Sequence, residues 1–265
     1  MSSRLATFNI LHGLSVDDGL VSTERLVEAC RSLDADVLCL QEVDRGQARS
    51  GGVDQTAAIA EGLGAGTRRF EPALVGEPGA TWRAATDADR DAHGDAGRPE
   101  PGYGVGIVSR LAVERWHVLR LKAAPVKSPV AVPGGKGRFI LLPDEPRVVL
   151  AAELVGRDLV VATTHLSFVP GYNLAQLRRA TRWLADLGRP AVLLGDLNVP
   201  GPLPRWATGW RSLAGAKTYP AGRPSLQVDH VLAHGDVPEV AGTDVRLLPL
   251  SDHRALVVSF VVGVG

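Results

Sequence analysis

The chain has 265 residues, 45% hydrophobic and 22% charged, with 30 Gly and 18 Pro. This ordinary globular composition excludes disorder, collagen-like repeats and a disulfide scaffold. Lys+Arg and Asp+Glu balance at 29 each, which excludes a strongly basic coat for nucleic acid, though not a local patch. Only four of the basic residues are Lys, and Arg suits bidentate contact with phosphate or carboxylate. The N-terminus, MSSRLATFNI, enters a strand pattern with no charged and apolar leader. No apolar run approaches the roughly 20 residues of a membrane span. A cytoplasmic protein without integral membrane association is therefore expected, its Cys30 and Cys39 buried free thiols.

Taken in chain order, residues 5–11 read as a strand. Residues 23–33 follow as a helix, with Leu26, Cys30 and Leu33 on one face. Residues 35–40 form a second, almost wholly apolar strand, as expected where both faces are buried. A helix over 53–63 stops at Gly64. Strands are predicted over 105–109, 113–121, 148–155 and 159–164. The clearest helix is 173–187, with Leu174, Leu177, Thr181, Leu184 and Leu187 as its inward stripe. Strands over 191–194, 227–232, 245–248 and 255–262 complete the series. About a dozen strands with three or four helices indicate a two-sheet α/β sandwich rather than a doubly wound fold. Two stretches, 76–102 and 124–147, are rich in Gly and Pro, lack periodicity and read as long surface loops. Strands that need partners flank both, so a single domain over 1–265 is expected.

The polar residues of interest cluster at strand ends. Asn9 ends the first strand, and Gln41-Glu42 caps the second. His165 follows 160–164, and Gly195-Asp196-Leu197-Asn198 follows 191–194. Asp229 lies in Gln227-Val228-Asp229-His230, and Ser251-Asp252-His253 precedes the last strand. Each alone has an ordinary explanation: an Asx turn, a hydrogen-bonded structural His, a cap, or pairing of Glu42 with Arg45. Together they differ, because carboxylates beside apolar strands are costly unless paired or bound to a cation. Glu42, Asp196, Asp229 and Asp252, with two imidazoles and two Asn amides, form a hard-oxygen set suited to Mg²⁺ or Mn²⁺ rather than structural zinc.

This ordered set resembles the endonuclease/exonuclease/phosphatase superfamily, the DNase I-like proteins, over nearly the whole chain. The resemblance implies a four-layered α/β/β/α sandwich of two packed, mostly antiparallel or mixed sheets flanked by helices. It also implies divalent-metal-dependent cleavage of phosphoester bonds, with Mg²⁺ the expected ion and Mn²⁺ its alternative. On that likeness Glu42 is the main metal ligand, with Asn9 and Asp252 beside it and Asp196, Asn198 and His253 adjoining. Asp196 orients or deprotonates the attacking water, and Asn198 holds a phosphate oxygen. Asp229 pairs with His253, which stabilises charge on phosphorus or acts as general acid/base. His165 matches the second histidine of DNase I-like nucleases and is the candidate acid for the leaving oxygen. Those nucleases give that histidine an acidic partner; Glu71 is the nearest candidate here, and equally reads as an exposed strand-end charge.

Other signals are weaker. Asp87-x-Asp89-x-Asp91 reads as a solvated loop, since Ala92 stands at the turn-glycine position of a calcium loop. Arg45, Arg49 and Arg147 are surface arginines by default, with phosphate contact as the alternative. Trp82 either stacks on substrate or packs on the domain, and His12 adjoins Asn9. The expected activity is nuclease-like phosphodiester hydrolysis, with a phosphoester substrate and nucleic acid among the candidates. The alternatives are a phosphatase or phosphodiesterase on small-molecule or lipid phosphoesters, and a catalytically silent binding domain.

Overall fold

The structure, a computed structural model, describes residues 3–89, 100–131 and 139–261. In chain order these form β1 (Ser3–Asn9), α1 (Thr23–Ser32), β2 (Val37–Arg45), α2 (Gln55–Leu63), β3 (Thr67–Gly76), β4 (Trp82–Ala84), β5 (Gly102–Ser109) and β6 (Val113–Leu121). There follow β7 (Lys127–Ala131), β8 (Phe139–Pro143), β9 (Arg147–Leu154), β10 (Val160–His165), α3 (Tyr172–Ala185), β11 (Ala191–Asp196) and α4 (Leu203–Thr208). The last strands are β12 (Arg211–Ser212), β13 (Asp229–His234), β14 (Val240–Arg246) and β15 (Ala255–Phe260).

The strands make two large mixed sheets, ordered β14-β15-β1-β2-β5-β3-β4 and β12-β13-β11-β10-β9-β6. Leu5, Cys39 and Ile107 of one and Leu150, Val161 and Leu194 of the other meet in the central core. On the outer face of the first sheet, Leu26 and Cys30 of α1 and Ile59 of α2 pack with Phe8 and Leu38. On the outer face of the second, Leu177, Ala180 and Leu184 of α3 pack with Ala162 and Leu193. The result is the expected four-layered α/β/β/α sandwich, and each fully buried Leu contributes about 2 kcal/mol over an exposed one. Cys30 and Cys39 are buried free thiols, as expected. No helix among the described residues is long and apolar enough to cross a membrane.

The helices are delimited by their own residues. Ser22 accepts from Arg25 N at the start of α1, Asp54 accepts from Ala57 N at the start of α2, and Gly64 closes α2 in the left-handed conformation. Two parallel pairs, β1/β2 and β10/β11, are each bridged by a helix, α1 and α3. Their registers end on Asn9↔Gln41 and His165↔Asp196. Gln41 Nε2 donates to Thr163 Oγ1 of the opposite sheet at 2.8 Å and also bonds Thr7. That bridge fixes the two pairs against each other, so their carboxyl ends open on the same edge.

Several stretches differ from the expectation. β3 is absent from the predicted strands because it holds Arg68, Arg69 and Glu71 and a proline at a register shift, Pro72/Leu74, the one kind of strand interior that tolerates Pro. α4 spans only six residues, too few for a periodic signal. The stretch 76–102 is not a bare loop: it carries β4, paired to the end of β3, and a 3-10 turn at Asp87–Asp89. Asp89 is buried, with Arg83 and Thr86 donating to it; Asp91 and residues 90–99 lie outside the described residues. The stretch 124–147 carries the antiparallel ribbon β7/β8, whose pairing is between backbones and needs no hydrophobic period.

Candidate active site

The carboxyl ends of β1, β2, β10 and β11 and the amino end of β13 bring the predicted residues to one edge. Glu42 is the extra residue of a β-bulge, with φ 56° and the register shifting between Gln41 and Val43. A bulge re-aims one side chain out of the strand's alternation, and here the carboxylate turns to Asn9, whose Nδ2 donates to Oε1 at 2.9 Å. It does not pair with Arg45, which is buried over Phe70 and donates to Asp89 O. The same Asn9 amide donates to Asp196 Oδ2 at 3.1 Å, joining Glu42 to Asp196 across the sheets. Gly195 allows this approach: a Cβ there would lie 2.0 Å from Thr164 O, so only glycine fits beside β10.

Asp196 is buried. Its Oδ1 accepts from Asn198 N at 3.0 Å, an Asx turn that also holds Asn198 at φ 50°. Asn198 Nδ2 donates to Leu166 O, and Asn198 O accepts from Asn173, so the loop is tied to α3. His253 Nδ1 lies 2.9 Å from Asp229 Oδ2, and its Nε2 faces Asp196 Oδ2 at 3.6 Å and Asp252 Oδ1 at 4.0 Å. Burial opposes charge on that ring, but Asp229, Asp196 and Asp252 outweigh it and raise its pKa. Burial raises the Asp196 pKa as well, against the pull of His253. Tyr219, which no motif singled out, packs its ring 4.9 Å from that of His253. Burial and the nearby Asp252, Asp196 and Glu42 raise its phenol pKa. Only the fold brings position 219 here, which is why spacing gave no signal.

His165 also reaches Asp196, with Nε2 3.5 Å from Oδ2. Its other nitrogen faces Arg147, not an acid: Arg147 Nη1 lies 3.4 Å from His165 Nδ1. A guanidinium only donates, so Nδ1 accepts and the ring proton sits on Nε2. Burial, with Arg147 and His253 beside it, holds the ring well below its ordinary pKa. Arg147 is itself buried, with Asp144 Oδ1 3.5 Å from Nη2, and is no surface arginine. Glu71 is neither exposed nor against His165. It is buried between Arg69 and Arg120, which donate to it at 3.0 and 2.7 Å.

Among the described residues the tightest group of potential metal ligands is Asp196, Asp229 and His253, their ligand atoms within 4.8 Å. Within that group Asp229 occupies His253 Nδ1, which leaves Nε2 facing Asp196. The oxygen set around Glu42 fits a hard dication better. Burial raises the Glu42 pKa, Asp252 raises it further, and only an amide donates to its Oε1. Partly buried, mutually repelling carboxylates of this kind gain from a cation. A cavity of about 1060 Å³ lies at the opposite strand ends around Arg157, Gly235 and Glu239 and is lined by none of these residues.

Residues 6–253 match the Endonuclease/Exonuclease/phosphatase family, and the chain belongs to it. It is thus a phosphoesterase by class, in a family that is generally divalent-metal dependent. The uncharacterised protein YbhP of Escherichia coli (strain K12) is 23% identical over 278 residues, spanning 96% of this chain and 92% of that protein. Among solved structures, an endonuclease/exonuclease/phosphatase from Beutenbergia cavernae DSM 12333 is similar, with a TM-score of 0.64 and 22% identity over 99% of this chain and 72% of that one. The mannosyl-6-phosphatase Bt3783 of Bacteroides thetaiotaomicron VPI-5482 has a TM-score of 0.64 and 18% identity over 98% of this chain and 100% of that one. These structural likenesses establish the fold.

Proposed function

We propose that this protein hydrolyses phosphoester bonds by direct attack of water, with the help of a divalent cation. The observation that carries the reading is the buried Asp229–His253–Asp196 relay joined through Asn9 to Glu42. Glu42, with Asn9 and Asp252, would hold Mg²⁺ or Mn²⁺, which when bound neutralises phosphate charge and lowers the barrier to attack. Asp196 orients the water and takes its proton; burial lifts its carboxyl toward the range of a useful general base. Asn198, held by the Asx turn, donates to a phosphate oxygen. Asp229 fixes the His253 ring and keeps it protonated, so a fixed positive charge faces the charge that develops on phosphorus. His165, the candidate acid for the leaving oxygen, enters as a neutral N–H donor through Nε2, because Arg147 occupies the other side of the ring.

Wild-type protein with Mg²⁺ or Mn²⁺ is expected to release phosphate from phosphomonoesters or to nick supercoiled plasmid, and Asp196→Asn to do neither. Equal activity in the two proteins would overturn the assignment. Nicking would identify a nuclease. Phosphate release without nicking would identify a small-molecule phosphatase.

A further inference from the structure

We infer that the cavity next to His165 is a second anion subsite, which takes a compact anionic substituent, a phosphate, on the far side of a small phosphoester. This deepens the phosphoesterase reading and rests on it. The cavity measures about 210 Å³, roughly the share of seven water molecules, and is open enough for a small polar group but not for a folded nucleic-acid strand. It is lined by four cationic side chains, Arg120, Lys122, Arg147 and Arg179, over an apolar floor that includes Ala73 and Leu121, and no carboxylate lines it.

The four cations are not equivalent. Arg120 is already matched by Glu71 and Asp87. Among the described residues Lys122 and Arg179 make no ion pair, and Arg147 shares Asp144 at 3.5 Å only. Arg147 is 4% exposed, and its Nε is buried with no hydrogen-bond partner. A buried guanidinium whose only carboxylate partner lies 3.5 Å away is poorly compensated, and an anion in the cavity that Arg147 lines would add countercharge. Arg147 also connects the cavity to the catalytic centre, through the His165 contact at 3.4 Å. A substrate held by its reacting phosphate at Asp196 therefore has a cationic cavity one side chain away. An anion there would be recognised by the surplus charge of Lys122, Arg147 and Arg179.

The test uses full-length Asp196→Asn protein with Mg²⁺, so that binding is read without turnover. Calorimetric affinities are compared for fructose 6-phosphate against fructose 1,6-bisphosphate, and for ribose 5-phosphate against ribose 1,5-bisphosphate. At least one bisphosphate is expected to bind tenfold or more tightly than its monophosphate. Adding Lys122→Gln and Arg179→Gln, both at exposed positions, is expected to remove that difference. Equal affinities within both pairs, no binding of any of the four, or a preference that survives the double substitution would each overturn the subsite. Failure of wild-type protein to release phosphate from any phosphoester, with the bisphosphate preference intact, would instead overturn the phosphoesterase reading alone.

Discussion

Two groups of wholly or partly buried acids stand in this molecule, and they are balanced in opposite ways. Glu71 on β3 is fully enclosed, and Arg69 and Arg120 both donate to it. Asp44 on β2 is equally enclosed, held by Arg49 and Ser50. At the strand ends, Glu42, Asp196, Asp229 and Asp252 face one another with His253 as the nearest titratable cation. No arginine donates to any of the four among the described residues, and Asp229 Oδ1 is buried without a hydrogen-bond partner. Burial of a carboxylate alone does not mark function; a surplus of carboxylates over cations does, because that surplus persists only where a ligand or cation repays it.

The sharpest way to break the contrast is Asp196→Asn. Turnover is expected to fall roughly 10²–10⁴-fold, the usual worth of a general base, while the thermal midpoint holds or rises because an unfavourable buried charge is gone. A lower midpoint with full activity would place Asp196 on the structural side. The opposite behaviour is expected of Glu71→Ala, which strands two arginines and costs about 3 kcal/mol in denaturant titrations, with activity per folded molecule unchanged. Loss of activity without loss of stability would make Glu71 part of the catalytic group. Glu42→Gln is expected to weaken Mn²⁺ binding by about tenfold or more, since even outer-shell partners of a metal carry that much; calorimetry reads it directly, and unchanged affinity would move the cation elsewhere.

A pH-dependent effect is expected at His12, which Arg49 and Asp44 both influence. Burial, with Arg49 next, lowers its pKa from 6.5 to about 4. Its contribution to stability is fully present above pH 6.5. Between about 6.5 and 4 the unfolded chain binds a proton that the folded chain does not, so stability falls with pH across that window. His12→Gln should flatten the fall in denaturant titrations at pH 7, 6 and 5; an unchanged slope would mean that the ring is solvated in the native state.

Legibility in the sequence followed the physics of each signal. The apolar run of β2 and the stripe of α3 were readable because burial of a regular element imposes a period on its residues. The candidate acids, amides and histidines were readable too, since each ends a strand and their order resembles a known family. β3 was not, because its buried face carries Glu71, whose charge is neutralised by Arg120 from the other sheet. The role of Arg147 was equally hidden: an arginine two residues after Glu145 gives no sign that it will meet His165, 18 positions away.

Taken by itself, the amino-acid sequence determined the layers of the fold and the residue types of the site, because local periodicity, caps and strand-end chemistry are written in neighbouring residues. Which acids are left uncompensated was decided only in three dimensions. The balance of buried charge depends on partners far apart in the chain: Asn9 and Asp196, 187 positions apart, share one amide contact, and Glu71 and Arg120, 49 apart, cancel each other. Electrostatic energy depends on distance in space, and no pattern within a short window of sequence records that distance.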